Sequence, residues 1–295
     1  MKRDIERAIA HIGETNSIRK TFWNMDEKVK DLLYGIKQGD DAVVVGDMVV
    51  NMEGPYPLKT ARKTGLIHTC SDIVVMGAKP LFALNAIQVD SLEEAEEIAK
   101  DLKKQSDGLG VPIIGGNTQM ESGLKPCASF AVVGRMVAEK PIPDSGASAG
   151  DRILMLGQVV EGEIGERLQR VKVRYASFFD LIEEGIEINA AKDASRGGWF
   201  GNLTEMLVKA KKGAKITGIP YPRISRYMGV FLLSVPKKEA PKIIRIASQH
   251  NCPVVEFAAV TKKMEIEMGG ETVVSRDRML ELVKNTPYRK ARGEK

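Results

Sequence analysis

Aromatic residues make up only 5% of this 295-residue chain, and it holds three cysteines and three histidines. Cys70, Cys127 and Cys252 lie far apart, with neither the spacing of a zinc cluster nor the density of a disulfide scaffold, which fits a reducing compartment. His11, His68 and His250 are equally dispersed, so no histidine triad or zinc-hydrolase helix can be read. No run approaches the roughly 18 apolar residues of a membrane span, and the start Met1-Lys2-Arg3-Asp4-Ile5-Glu6-Arg7 carries mixed charge in place of an apolar signal core. A soluble, unexported, cytoplasmic protein with no membrane partner is expected. Also missing are the G-x-x-x-x-G-K-[ST] loop, a G-x-G-x-x-G turn opening a helix, and the kinase D-F-G set.

What is present is apolar material for a sizeable core, 43% of residues, and a balanced charge of 44 basic against 39 acidic residues. Much of the net +5 sits in the tail Tyr288-Arg289-Lys290-Ala291-Arg292-Gly293-Glu294-Lys295. With few aromatic residues to stack on bases and no basic stripe inside a folded segment, the tail reads as a solvated terminus, which argues against nucleic acid as a partner.

Length predicts two domains. Asp4–Ala10 and Asp26–Tyr34 read as helices, and the valine-rich Asp41–Val50 as one buried strand. Pro55 and Pro57 break the chain, and a helical pattern follows over Leu58–Gly77. Leu81–Val89 reads as a strand. A helix opened by the capping box Ser91/Glu94 comes next, then strands over Val111–Ile114 and Ala128–Val137. The segment 139–150, rich in turn formers, is expected to link a first domain (1–138) to a second (151–295). The second domain is read as strands at Arg152–Leu156, Ile186–Ala190, Val230–Val235, Val254–Thr261 and Met264–Met268. Helices are expected near Gly165–Arg170, Ala176–Glu184, Gly197–Lys211, Lys237–His250 and Arg276–Lys284.

Candidate chemistry is acidic. Asp or Asn stands beside Gly or Ser at apparent element ends in Gly39-Asp40-Asp41-Ala42, Gly46-Asp47, Ser71-Asp72 and Gly115-Gly116-Asn117-Thr118, and a fifth segment, Asp193-Ala194-Ser195-Arg196-Gly197-Gly198, opens a helix of the second domain. Such carboxylates suit magnesium, the glycines let backbone N–H groups approach a phosphate, and a helix starting at Gly197 adds its positive dipole end. Each segment alone also has a plain structural reading, as a turn into a strand or a helix cap. Asp72 stands out because it lies in a helix that reads as buried all round, where an unpaired carboxylate is costly.

Taken in order, these blocks and the pre-strand Ser145-Gly146-Ala147-Ser148-Ala149-Gly150-Asp151 resemble the AIR synthase-related superfamily of ATP-binding enzymes, over about Gly39 to Thr261. The resemblance extends to AIR synthase-related proteins of methanogens, a branch that brings no reaction with it. It implies an α+β, PurM-like two-domain fold: an N-terminal mixed sheet pairing into a dimeric β-barrel and a C-terminal α/β domain closing over ATP and magnesium. Position by position it implies Asp40, Asp47, Asp72 and Asp193 as metal-site acids. It also implies Asp41, Gly115, Gly116, Asn117 and Gly197 as contacts to the cofactor, and Asp72, Asp193 and Arg196 as the groups acting on the transferring phosphoryl. The expected partners are a second copy of the chain and a small-molecule phosphoryl acceptor. Asn117 stands where several members have Asp; the Glu-Asp-Tyr-Glu segment of thiamine-monophosphate kinase is absent; no cysteine follows Cys252 and none precedes Cys70. The expected activity is therefore phosphorylation or activation of an oxygen of a small substrate. The alternative is a nucleotide-binding regulatory or scaffold protein of the same fold.

Overall fold

The computed structural model describes residues 2–14, 16–121, 123–286 and 288–289. It opens with α1 (Lys2–Ile9), α2 (Asn16–Phe22) and a 3-10 turn (Trp23–Lys28) before β1 (Leu32–Tyr34), so Asp26–Tyr34 is a short turn and a strand where a helix was expected. Nor is Asp41–Val50 one strand. Gly46-Asp47 turns the chain between β2 (Val43–Val45) and β3 (Met48–Pro57), with Val45 opposite Met48 and Gly46 at φ +60°. A two-residue hairpin with positive φ at its first position is the economical reversal here, and glycine supplies it. β3 then runs through Pro55 and Pro57 by way of a bulge between Glu53 and Tyr56.

The helix expected at Leu58–Gly77 is continuous in direction but built of α3 (Leu58–Thr60), a π-turn (Ala61–Gly65) and α4 (Leu66–Val75). Next come β4 (Ala78–Gln88), α5 (Leu92–Leu109), β5 (Ile113–Gln119) and β6 (Cys127–Met136). Ser91 caps α5 as expected, its side chain accepting from the Glu94 N–H. The first sheet has the order β1-β2-β3-β6-β4-β5, with β4 and β5 parallel and the other neighbours antiparallel.

The second half holds β7 (Arg152–Leu156), α6 (Ile164–Glu183), β8 (Ala190–Asp193), α7 (Gly198–Ala210), β9 (Gly213–Ile216) and β10 (Phe231–Val235). It continues with α8 (Ala240–Gln249), β11 (Val254–Thr261), β12 (Ile266–Met268), β13 (Glu271–Val274) and α9 (Arg276–Asn285). These strands form a second sheet, β13-β12-β9-β11-β7-β10-β8. The two expected helices at 165–184 are one, and β9 and β13 were not foreseen. α1 packs on α7, placing Ile5, Ala8 and Ile9 in the second half's core with Trp199 and Phe200.

α4 decides where the site lies. Leu66, Cys70 and Ile73 pack on the first sheet, whereas Val74 and Val75 join Leu154, Phe231 and Leu233 of the second. All ten of its residues are buried. Each buried aliphatic side chain contributes about 1.5–3 kcal/mol, enough for the helix to carry Asp72 into the junction between the halves.

Candidate metal and nucleotide site

A cavity of about 760 Å³ lies at that junction. Its walls are His11 from the turn after α1, Asn16 and Arg19 from α2, Asp40 from the loop before β2, and Glu53 and Tyr56 from β3. Facing them are His68 and Asp72 of α4, Asp193, Ser195 and Arg196 around the end of β8, Glu205 of α7, and Tyr227.

Four of the acids expected from the sequence meet beside this cavity. Single carboxylate oxygens of Asp41, Asp72 and Asp193 lie within 4.8 Å of one another, and those of Asp40, Asp41 and Asp144 form a second such group sharing Asp41. Backbone structure explains the convergence. Asp40 accepts from the N–H groups of Asp41 (2.9 Å) and Asp144 (3.1 Å), tying the loop before β2 to the segment between the halves. Asp41 accepts from the Asp193 N–H at 3.2 Å, so the end of β8 docks on the same loop. Asp72 is held by the Asn51 side-chain amide.

Burial and mutual repulsion dominate the electrostatics. Burial first, then Asp144, raises Asp40 well above the usual carboxylate range; burial first, then Asp193 and Asp41, does the same to Asp72. Asp41 and Glu53 are raised chiefly by burial, and Asp193 is pushed up to about 8 by burial and then by Asp41. Lys192 and Lys209 are the compensating cations. Lys192 Nζ lies 2.7 Å from Asp41 and 3.2 Å from Asp144, and Lys209 bonds Asp144 and, at 2.6 Å, the Gly39 carbonyl. Although burial pushes Glu205 up, these two lysines outweigh it and hold that acid down at about 2. Seven carboxylates thus share two ammonium groups, a donor set of hard oxygens short of positive charge.

Other expected residues fall elsewhere. Asp47 is not in the cluster: its side chain is 68% exposed at the β2–β3 turn and pairs with Arg135 at 3.2 Å. Gly115, Gly116 and Asn117 do not end a strand; they lie exposed within β5, at the edge of the first sheet. A Cβ on Gly116 would stand 2.0 Å from the Asn85 carbonyl, so close β4–β5 packing requires this glycine. Gly197 has φ +91°, and the space a Cβ would take is filled by His11 and the Ala8 carbonyl, which gives it a packing role against α1. Arg196 lines the cavity and pairs with Glu14. The part of the basic tail at 290–295 lies outside the described residues. Tyr288 bonds Ser145, and the Arg289 N–H donates to the Lys37 carbonyl, so this part of the tail is docked where a solvated terminus was expected.

Sequence reasoning passed over Glu53, Asp144, Lys192, Glu205 and Lys209. One signal was available. Glu205 and Lys209 stand four apart in α7, whose other residues include Trp199, Phe200, Leu203, Met206, Leu207 and Val208, all buried. A charged pair inside so apolar a helix has to face a polar interior. His68 and Tyr227 were also missed; their rings stack at 4.1 Å on the cavity wall, and burial lowers His68 to about 3.

Residues 30–136 match the family model for the N-terminal domain of AIR synthase related protein, and residues 145–270 match that for its C-terminal domain. The chain belongs to the AIR synthase-related family. An uncharacterized protein of Methanocaldococcus jannaschii is 51% identical over 97% of both chains. A putative hydrogenase expression/formation protein of the same organism is 28% identical, covering 85% of this chain and 92% of the relative. Among solved structures, T. maritima PurL complexed with ATP superposes with a TM-score of 0.67 at 18% identity, over 89% of this chain and 47% of PurL. Thiamine monophosphate kinase from Aquifex aeolicus superposes with a TM-score of 0.61 at 16% identity, over 88% and 98%. The fold is thus the two-domain, PurM-like one that the sequence implies.

Proposed function

We propose that this AIR synthase-related protein is an ATP- and magnesium-dependent enzyme that phosphorylates or activates an oxygen of a small substrate. The observation that carries the reading is the meeting of Asp41, Asp72 and Asp193, from three distant segments, within 4.8 Å in a buried and under-compensated cluster. Hard carboxylate oxygens at that spacing fit magnesium, and relatives of the same fold are ATP-using enzymes or bind ATP. Asp41, Asp72 and Asp193 would hold the ion, which when bound neutralises phosphate charge. The chain's own residues supply position and field. Asn51 orients Asp72, the Asp193 N–H fixes Asp41, and Arg196 and Arg19 add positive charge to the cavity wall, where developing phosphoryl charge is stabilised by groups already in place. Burial of His68 keeps its imidazole neutral, so at this wall the ring offers a hydrogen bond without charge.

The functional unit is read as a homodimer. Val43, Met48, Met52 and Leu84 share the outer face of the first sheet and are 42%, 47%, 70% and 41% exposed, an apolar surface near β5, which among the described residues pairs only with β4. A second copy pairing there would cover both and bring Asn117 into an interface. The test is magnesium-dependent phosphate release from ATP across a panel of small alcohols, amides and carboxylates, run on wild type and Asp72→Ala. Stimulation by one acceptor, lost in the variant, is expected; turnover retained in Asp72→Ala overturns the reading.

A further inference from the structure

The two acidic groups that share Asp41 are not equivalent, and the difference lies in what already occupies them. In the Asp40–Asp41–Asp144 group, Lys192 Nζ bridges Asp41 Oδ1 (2.7 Å) and Asp144 Oδ2 (3.2 Å), and Lys209 Nζ bonds the same Asp144 oxygen. Both lysine side chains are almost completely buried, at 7% and 0% exposure. Glu205 stands behind them at 3.6 Å and 3.5 Å, and Gly39 accepts from Lys209. In the Asp41–Asp72–Asp193 group the one ammonium is Lys192 on the shared Asp41, and none is bonded to Asp72 or Asp193 among the described residues; the Asn51 amide donates to Asp72 and the Asp193 N–H to Asp41.

We propose, resting on the metal reading above, that Lys192 and Lys209 are built-in cations that fill the Asp40–Asp41–Asp144 group. A divalent ion then binds only at Asp41, Asp72 and Asp193. A dication held about 2.0–2.1 Å from oxygens of both Asp41 and Asp144 would sit against the Lys192 ammonium that bridges those same residues, and like charges at that separation repel strongly in a buried site. The lysines also account for the assembly of the cluster. Both come from the second half of the chain, on β8 and α7, and hold Asp41 and Gly39 of the first half and Asp144 between them, so the acidic loop is fixed before any ion arrives. Asp144 Oδ1 is buried without a hydrogen-bond partner among the described residues, and the variants below include the one that removes its charge.

The experiment counts manganese bound to the full-length protein without nucleotide, by electron paramagnetic resonance of free Mn2+, in wild type, Asp72→Asn, Asp144→Asn and Lys192→Met. One ion per chain is expected in wild type and none in Asp72→Asn. Asp144→Asn should keep one ion with affinity within about threefold, since it touches only the lysine-filled group. Lys192→Met removes the ammonium that bridges Asp41 and Asp144 and should gain a second ion, bound more weakly than the first because Lys209 still bonds Asp144. Two ions in wild type, or loss of the ion in Asp144→Asn with retention in Asp72→Asn, overturns the inference. No ion in wild type instead overturns the metal reading on which it rests. Circular dichroism of each variant identifies any that fails to fold, and the wild-type count together with the Asp72→Asn against Asp144→Asn contrast decides the matter without Lys192→Met.

Discussion

Asp72 and Asp47 are the same residue type, each just after a small residue and close to a valine-rich stretch, yet they lie in opposite kinds of place. Asp72 is 6% exposed in a helix buried on every side, whereas the Asp47 side chain is 68% exposed on a hairpin tip. The first is costly to the fold and therefore needs a reason; the second closes a turn and makes a surface ion pair worth at most about 1 kcal/mol. Burial, more than residue identity, separates the acid proposed to hold metal from the ordinary one.

The largest effect that would break this contrast is on metal-dependent chemistry. Asp72→Asn should remove magnesium-dependent ATP turnover by at least about 100-fold, while raising the melting temperature of the metal-free protein by a few degrees. Neutralising a carboxylate whose ionised form burial disfavours stabilises the fold while it removes function. Paired calorimetric and kinetic assays check both halves of the statement.

On the outer face of the first sheet, Met52→Glu should convert the proposed dimer to monomer in light scattering while costing the monomer less than about 1 kcal/mol of stability, because Met52 is 70% exposed. A variant that stays dimeric would place the interface elsewhere.

A third effect is on pH dependence. Asp193 is raised from 3.8 to about 8, so the folded state prefers it protonated, and metal-free stability from this group is fully present below pH 3.8 and declines as pH rises towards 8. Added magnesium should therefore raise the melting temperature more at pH 8.5 than at pH 6, as differential scanning calorimetry would show. An equal rise at both values would mean that the ion does not compete with a proton at this acid. The smallest effect is expected of Asp47→Ala, which should leave magnesium affinity unchanged in isothermal titration and shift stability by less than about 1 kcal/mol.

Much of this was legible in the sequence, for identifiable reasons. β11 and α9 fall where expected, and α4 announces its burial through the apolar residues on either side of Ser71-Asp72, Ile67 before it and Ile73 to Met76 after it. Asp40, Asp41, Asp72 and Asp193 were named from short acidic blocks whose order resembles the family's, and they converge. What was not legible depends on contacts far apart in the chain. Asp144 lies in a segment that reads as a linker, yet it is completely buried between Lys192 and Lys209, 48 and 65 residues away. The hairpin at Gly46-Asp47 hid inside a valine run because valine fits both of its strands. Gly115, Gly116 and Asn117 look like a loop in composition, but the parallel partner β4 draws them into an edge strand.

The measurement closest to the central claim is isothermal titration of ATP into wild type and Asp72→Ala, each with and without magnesium. Binding should require magnesium in wild type and be lost in Asp72→Ala. Binding of equal strength in both proteins, or binding indifferent to magnesium, would contradict that claim.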